Sequence, residues 1–324
     1  MFVYSTKANI PYNNFAIEEY LLDKQPELKE TILFIWQNDK SVIIGRNQDI
    51  YSECDLDFLK KNSILPARRK TGGGAVYHDL GNINFSFICS KEEYNRNLVT
   101  ETICNCLKHL DIDAYASGRN DIEVDGYKVS GHAFRSNDKS VLHHGTIMFD
   151  VDLYMMEKAL HVEKGKIARK GIKSVRSRVK NLVSFNNTLS LKELTDSLIE
   201  EFELVFGKAK DIDLDEEVVT KIASFYSGPE WIYGDSIDSV FNKTFSFNWG
   251  EATISLKIVD GNLTKLSITS DSLLPEELIK YVDECNNRID ELETYIDSKQ
   301  CLELPGLSGA ILETINDYKV KAYV

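Results

Sequence analysis

The sequence predicts a mixed α/β chain, and three observations carry that expectation. Short runs rich in β-branched and aromatic residues recur at 31–36, 41–44, 76–88 and 142–151. Apolar stripes at helical spacing separate them, at 16–21, 98–110 and 191–206. Beyond turn residues at 227–238, which read as a linker, a strands-then-helix unit closes the chain.

Taken in order, Asn13 or Asn14 is the expected cap of a core-facing helix with Ala16, Ile17, Tyr20 and Leu21 on one face. The runs 31–36 and 41–44, joined by Gln37-Asn38-Asp39-Lys40, read as a hairpin. Trp36 and Ile43 are candidates for an apolar pocket wall, although Trp36 taken alone reads first as a plain core residue. Asp55 caps a short helix through Phe58 and Leu59 that ends before Pro66. Asp125-Gly126 between alternating residues is a strong hairpin signal, pairing 122–124 with 127–129 and setting Lys128 opposite Glu123. An ordinary cross-strand ion pair follows from that register alone. His143 and His144, adjacent on a strand, face opposite sides and share no metal. In the closing unit, strands are expected at 245–249, 252–259 and 263–269. A helix then starts near Asp271 or Ser272, with Leu278, Val282, Cys285, Ile289, Leu292 and Ile296 on one stripe.

Charge and cysteine usage bound the function. The 324 residues carry 38 Lys and Arg against 51 Asp and Glu, a formal charge of −13. Such a balance argues against general affinity for nucleic acid or an anionic membrane, so an anion site must be local. The chain start lacks the basic and apolar regions of a secretory signal, and no segment approaches the ~20 apolar residues that span a bilayer. A cytoplasmic protein is expected. Of six cysteines, only Cys104 and Cys106 lie close together, and on a helix they point to different sides, which disfavours a metal site with His109. Reduced thiols fit a reducing compartment.

Two stretches break the ordinary pattern. Residues 68–79 read Arg-Arg-Lys-Thr-Gly-Gly-Gly-Ala-Val-Tyr-His-Asp. Three glycines give up much backbone entropy and add nothing to a core, so close approach of backbone to an anionic ligand explains them better than a loose loop leading straight into a strand. From 164 to 180 there are eight Lys or Arg and no Asp or Glu. A run of one sign repels itself unless an anion joins it, so ordering over a bound anion is expected there, with disorder in its absence.

Residues 68–82 resemble the lipoate-binding loop of the lipoate–protein ligase family, within the biotin/lipoate ligase superfamily, at every fixed position through Gly81 and Asn82. Residues 118–131, 142–151 and 170–182 resemble three further segments of these ligases, the last being the adenylate-binding loop. The resemblance implies an α/β (α+β) fold: a large biotin/lipoate ligase-like catalytic domain of mixed sheets and packed helices over 1–240, and a small α/β accessory domain over 241–324. It implies ATP-dependent activation of free lipoate to lipoyl-AMP. Transfer then follows to a lysine of lipoyl-acceptor domains, namely 2-oxoacid dehydrogenase E2 subunits and the glycine cleavage H protein. Lys128 is the implied catalytic residue, bridging carboxylate and α-phosphate. ATP or adenylate binding falls to Arg69, Gly74, Ala75, Val76, Tyr77, Asp121, Lys173, Ser174, Val175 and Arg176 together with Lys128. Lipoate binding falls to Trp36, Arg69, Gly72, Gly73, Gly74, His78, His144 and Gly145 with Lys128. Mg2+ accompanies the nucleotide, with Asp121 its candidate ligand. A monomer acting on lipoate, without nucleic acid or membrane, is expected. The rival within this fold is an ATP-independent octanoyl or lipoyl transferase using a cysteine thioester, yet no cysteine lies in these motifs. A nucleic-acid-binding module is the rival from another class, and no helix-turn-helix or RNA-binding signature accompanies the basic run.

Overall fold

A computed structural model of the protein describes residues 1–118, 120–160, 178–233, 241–259, 262–271, 275–298 and 304–322. They form two compact units. One takes in Met1–Ile44, Tyr51–Arg68 and Ala75–Ile232; the other takes in Gly45–Ile50, Arg69–Gly74 and Tyr233–Val324.

The first unit is framed by strands β1 (Phe2–Ser5), β2 (Ile32–Trp36), β3 (Ser41–Ile44), β4 (Leu65–Arg68), β5 (Val76–His78), β6 (Asn82–Ser90), β7 (Tyr115–Ser117), β8 (Asp121–Val124), β9 (Tyr127–Ser136), β10 (Ser140–Met148) and β11 (Lys210–Asp211). Eight of them make one mixed sheet in the order β11-β1-β2-β6-β10-β9-β8-β7, and β4-β3-β5 make a second. The large sheet is buried on both faces, which explains the unbroken apolar run of β2. Leu33 and Ile35 of β2 join Phe85 and Phe87 under the helices Arg96–His109 and Leu191–Phe206. Ile32, Phe34 and Trp36 pack on the other side against Phe15, Leu21 and Leu22 of the helix Pro11–Leu28.

Several expectations hold at the level of single residues. The Asp55 carboxylate accepts from Phe58 N at 2.9 Å as the cap of the helix Leu56–Lys61. The helix Leu191–Phe206 opens on a reciprocal capping box between Ser190 and Glu193.

Others are corrected. The first helix starts at Pro11, whose fixed φ suits the first turn, and neither asparagine caps it. Asn14 is instead buried, its amide donating to Ala8 O, Gln37 O and Asn38 Oδ1. The runs 31–36 and 41–44 do form strands, but β2 and β3 belong to different sheets and make no hairpin. The segment read as a linker contains a helix, Pro229–Tyr233. Arg68 Nε and Nη2 each donate to Ile232 O, at 3.2 and 2.8 Å, and Trp231 Nε1 donates back to Arg68 O.

The second unit carries β12 (Phe241–Phe247), β13 (Gly250–Val259) and β14 (Asn262–Ser270) as an antiparallel sheet. The expected single helical stripe is split among the helix Pro275–Asn286, a 3-10 turn at Ile289–Glu291 and the helix Leu292–Ser298. Leu278, Cys285, Leu292 and Ile296 nevertheless all face one core.

Candidate functional site

Asp125 and Gly126 both take positive φ, 51° and 77°, as a two-residue hairpin turn requires. From that turn Val124 pairs with Tyr127 and Glu123 with Lys128, whereas Ile122 pairs with Ser130 and Asp121 with Gly131. Val129 is therefore one residue in excess, a β-bulge. Side chains alternate between faces along a strand, so Lys128, opposite Glu123, lies on the face of Asp121, and the extra residue brings Gly131 onto that same face. Its ion pair accordingly differs from the cross-strand expectation: Lys128 Nζ lies 2.7 Å from Asp121 Oδ1, and Glu123 accepts from Tyr115 OH at 3.2 Å. The Lys128 backbone is held on its other edge, with N donating to Arg178 O at 2.8 Å and O accepting from Lys180 N at 3.1 Å. Lys180 Nζ sits over the rings of Tyr127 and Phe185, at 5.2 and 4.4 Å.

The pairing extends this face across the sheet. Gly131 faces Thr146, Thr146 faces Asn84, and Asn84 faces Trp36. Asp121, Thr146 and Asn84 thus make a polar row that ends on an indole. Thr146 Oγ1 accepts from Gly131 N at 3.2 Å, and Asn84 Nδ2 donates to Trp36 O at 3.3 Å. Trp36 is itself fixed, its Nε1 donating to Ser86 Oγ at 2.8 Å. Ser86 donates in turn to Glu18 Oε1, which also lies 2.8 Å from His144 Nδ1. Sequence reasoning gave neither Asn84 nor Glu18 a place in the site. A readable signal existed for the first, since Asn82, Asn84 and Ser86 alternate with Ile83, Phe85 and Phe87 along a buried strand.

The opposite face carries a chain of buried polar groups. Tyr94 OH meets His143 Nδ1 at 3.1 Å, His143 Nε2 meets His132 Nδ1 at 2.9 Å, and His132 Nε2 meets Ser130 Oγ at 3.0 Å. Burial, seconded by the positive charges of Lys128 and Arg96, pushes His132 down to about 3. Burial likewise holds His143 well below the ordinary histidine range, so both rings are neutral. As expected, His143 and His144 face opposite sides of the sheet; His143 belongs to this chain and His144 to the Glu18 cluster.

Within the second unit, the glycine loop is held by its own arginine. Arg69 Nη2 donates to Gly72 O at 2.7 Å and Gly74 O at 2.8 Å, and Nε donates to Thr71 Oγ1 at 3.0 Å. Gly73 takes φ 93°, and a Cβ on Gly45 would lie 2.1 Å from Gly73 O, so two glycines allow the loop its tight packing. The neighbouring loop is tied in by Arg46 N donating to Thr71 O, and Asn47 O accepts from Ser270 N of β14.

The remainder of the motif is tied into the first unit by its own contacts. Asp79 accepts from Gly81 N at 2.8 Å and Asp152 N at 2.9 Å, and a Cβ on Gly81 would lie 1.9 Å from Asp150 O. Val76 is half-buried, and the Tyr77 phenol is buried and held protonated by burial and the Asp79 carboxylate. His78 Nδ1 faces Asn38 Nδ2 at 3.1 Å, and its ring is 6.4 Å from that of Trp36. Gly145 lets Phe85 approach, for a Cβ there would lie 2.5 Å from the ring. The structure thus joins Asp121 to Lys128, and Trp36 to His144 through Ser86 and Glu18. Arg69, Gly72, Gly73 and Gly74 belong to the second unit, and Ala75 opens the return to the first. Lys173, Ser174, Val175 and Arg176, with the expected ordering of the basic run, lie outside the described residues.

Among the described residues no group of three or more His, Cys, Asp or Glu is placed to hold a metal, and no helix is long and apolar enough to cross a membrane. Cys54, Cys89, Cys106 and Cys285 are buried and Cys104 is partly so. Burial pushes the Cys89 and Cys106 thiols up to about 12 and Cys104 to about 11, the reverse of nucleophile activation.

Residues 10–203 match the family model of the lipoyl protein ligase A/B catalytic domain, and the chain belongs to that family. It is 34% identical over 316 residues to a lipoate-protein ligase A of Psychrobacter cryohalolentis, covering 89% of this chain and 93% of that protein. Among solved structures, P. falciparum LipL1 in complex with lipoate is similar at a TM-score of 0.76 and 31% identity, covering 88% of each chain. A lipoate-protein ligase A bound with ATP is similar at a TM-score of 0.64 and 29% identity, covering 72% of this chain and 97% of that one. These likenesses agree with the mixed α/β fold expected from the sequence.

Proposed function

We infer that the protein is an ATP-dependent lipoate–protein ligase, and the observation that carries the reading is the placement of Lys128. In the first half-reaction a carboxylate oxygen of lipoate attacks the α-phosphorus of ATP and pyrophosphate leaves. Two anions must meet, and a fixed ammonium between them orients the attack and offsets charge that grows in the transition state. Lys128 is such a group, and its partner Asp121, 2.7 Å from the amine, holds it in place until a carboxylate or phosphate takes it over. In the second half-reaction the neutral amine of an acceptor lysine attacks the acyl carbon, the amide forms, and AMP leaves with its phosphate oxygen.

The family resemblance supports nucleotide roles for Arg69, Gly74, Ala75, Val76 and Tyr77, and lipoate roles for Gly72, Gly73, Gly145, His78, His144 and Trp36. The contacts of Arg69 add a reason: it holds the carbonyls of Gly72 and Gly74. Magnesium would travel with the nucleotide, held chiefly by phosphate and water oxygens, and Asp121 offers it one carboxylate. The acceptors proposed are lipoyl domains of E2 subunits and the H protein. Against the cysteine-dependent transferase stands the state of Cys89, Cys104 and Cys106, whose thiols burial holds protonated.

Intact-mass analysis of acceptor domains mixed with the protein, free lipoate and ATP-Mg tests the reading. A mass gain of one lipoyl group that vanishes when ATP is left out is the expected result. Transfer without ATP would replace the ligase by the transferase.

A further inference from the structure

We propose that Gly131 is a positioning residue for Lys128: its missing side chain is the lane in which the lysine's ammonium lies. The proposal deepens the reading above and rests on it for its catalytic consequence. Three observations converge. The bulge at Val129 brings Lys128 and Gly131 to one face, although they are three residues apart. A carbon placed at the Cβ position of Gly131 would lie 2.9 Å from Lys128 Nζ, 3.0 Å from Lys128 Cε and 3.9 Å from Asp121 Oδ1. Finally, Gly131 is the direct cross-strand partner of Asp121, so the ion pair is made across its empty side-chain position.

The backbone gives no other reason for glycine here. Gly131 is absent from the residues with positive φ, so an alanine would adopt its conformation. The obstacle is the end of a flexible side chain, not backbone. A methyl group needs about 3.5–4.0 Å to a non-bonded heavy atom, so the amine must retreat by roughly 0.6 Å or more. That retreat costs the fold little. It matters for catalysis, because misplacement of a reacting or charge-stabilising group by about 1 Å can cost on the order of 10²-fold in rate.

The test is Gly131→Ala, read first in lipoate-dependent ATP–pyrophosphate exchange and in thermal unfolding. The expected result is a fall of at least about tenfold in kcat for exchange, with smaller changes in KM for lipoate and ATP and a nearly unchanged Tm. Full kcat would overturn the proposal. If the variant proves unstable, Lys128→Ala/Gly131→Ala decides. Removing the lysine must restore the lost Tm if the methyl group collides with Lys128; a Tm deficit that persists without the lysine overturns the proposal. The stability cycle needs no substrate, so it stands apart from the activity reading. A wild-type protein without lipoate-dependent exchange would refute the proposed function and leave the relation between Gly131 and Lys128 to be judged by that cycle.

Discussion

Replacing Lys128 by alanine separates stability from chemistry more sharply than any other single change. Lys128 and Asp121 are each 36% exposed at the side chain, so their ion pair, though short at 2.7 Å, is a solvent-screened one. Such pairs contribute about 0–1 kcal/mol, and water takes over the carboxylate once the amine is gone. The backbone bonds from Lys128 to Arg178 O and from Lys180 N survive the substitution, since neither uses the side chain. Little change in Tm is therefore expected. In the role proposed for Lys128, the chemical step loses a preorganised cation aimed at developing charge, a loss worth about 3–4 kcal/mol, or ~10²–10³ in kcat. Lipoate-dependent ATP–pyrophosphate exchange isolates that step from acceptor transfer, and premade lipoyl-AMP supplied with acceptor measures the second step alone. Exchange should fall by the stated factor, while transfer from the premade adenylate keeps a larger fraction of its rate. A Lys128→Ala protein that exchanges pyrophosphate at the wild-type rate would refute the argument, as would a loss wholly explained by unfolding.

Three further outcomes follow from the geometry. Gly145→Ala drives a methyl group to 2.5 Å from the Phe85 ring and 3.0 Å from Gly131 O, an overpacking that costs about 1–3 kcal/mol; adding Phe85→Leu should recover part of the lost Tm, and no recovery would contradict the contact. His132 is neutral in the fold with its pKa pushed down to about 3, so the unfolded chain alone takes up a proton as pH falls below the ordinary histidine value. Its contribution is therefore intact above that value and is lost progressively as pH falls toward 3, by up to about 1.4 kcal/mol per pH unit. Denaturant titrations from neutral to mildly acidic pH should show a shallower decline for His132→Asn, and parallel curves would remove the argument. Arg69→Lys replaces a forked donor by a point charge that cannot span Thr71 Oγ1, Gly72 O and Gly74 O together; amide hydrogen exchange at Gly72–Gly74 should quicken, and unchanged protection would show that the loop holds without the guanidinium.

What could be read from the sequence was local. The Asp125-Gly126 turn, the Asp55 cap and the helix at 191–206 each depend on neighbours within a few residues, and each was legible. Pairings set by distant contacts were not. The runs 31–36 and 41–44 look like a hairpin because only four residues part them, yet burial of β2 on both faces seats it between β1 and β6. Asn14 looked like a cap because asparagine favours that position, but Pro11 had already opened the helix and the amide was needed to satisfy Ala8, Gln37 and Asn38. The motif at 68–82 was legible as a unit of recognition and misleading as a unit of structure. Arg68 holds the helix Pro229–Tyr233, Arg69 holds the glycines, and Asp79 and Gly81 clasp the turn into β6.

The bulge shows why the grouping of Lys128 with Gly131 could not be deduced from alternation alone. With strict alternation from the Asp125-Gly126 turn, Lys128 and Ser130 share one face and Gly131 takes the other. Ser130 is in fact paired with Ile122 and bonded to His132, on the side where Val124, Ile122 and Ile147 are buried. An unbulged strand that kept Val129 would therefore turn Lys128 into that apolar layer, where an ammonium loses its hydration without a carboxylate in reach. One surplus residue resolves the conflict: Val129 fills the apolar side, and Lys128 is released to the side of Asp121, Thr146 and Asn84. Deleting Val129 should consequently leave Lys128 on its present side, because Glu123 with Lys128, Ile122 with Ser130 and Asp121 with Gly131 then become successive pairs of an unbulged ladder. Val129→Ala removes a buried side chain at a cost of about 1–3 kcal/mol, and the deletion loses the same side chain together with the bulge. Both variants are expected to lose Tm and still form lipoyl-AMP; a deletion variant that folds but has lost adenylate formation would show that the pairing alone does not set the direction of the lysine.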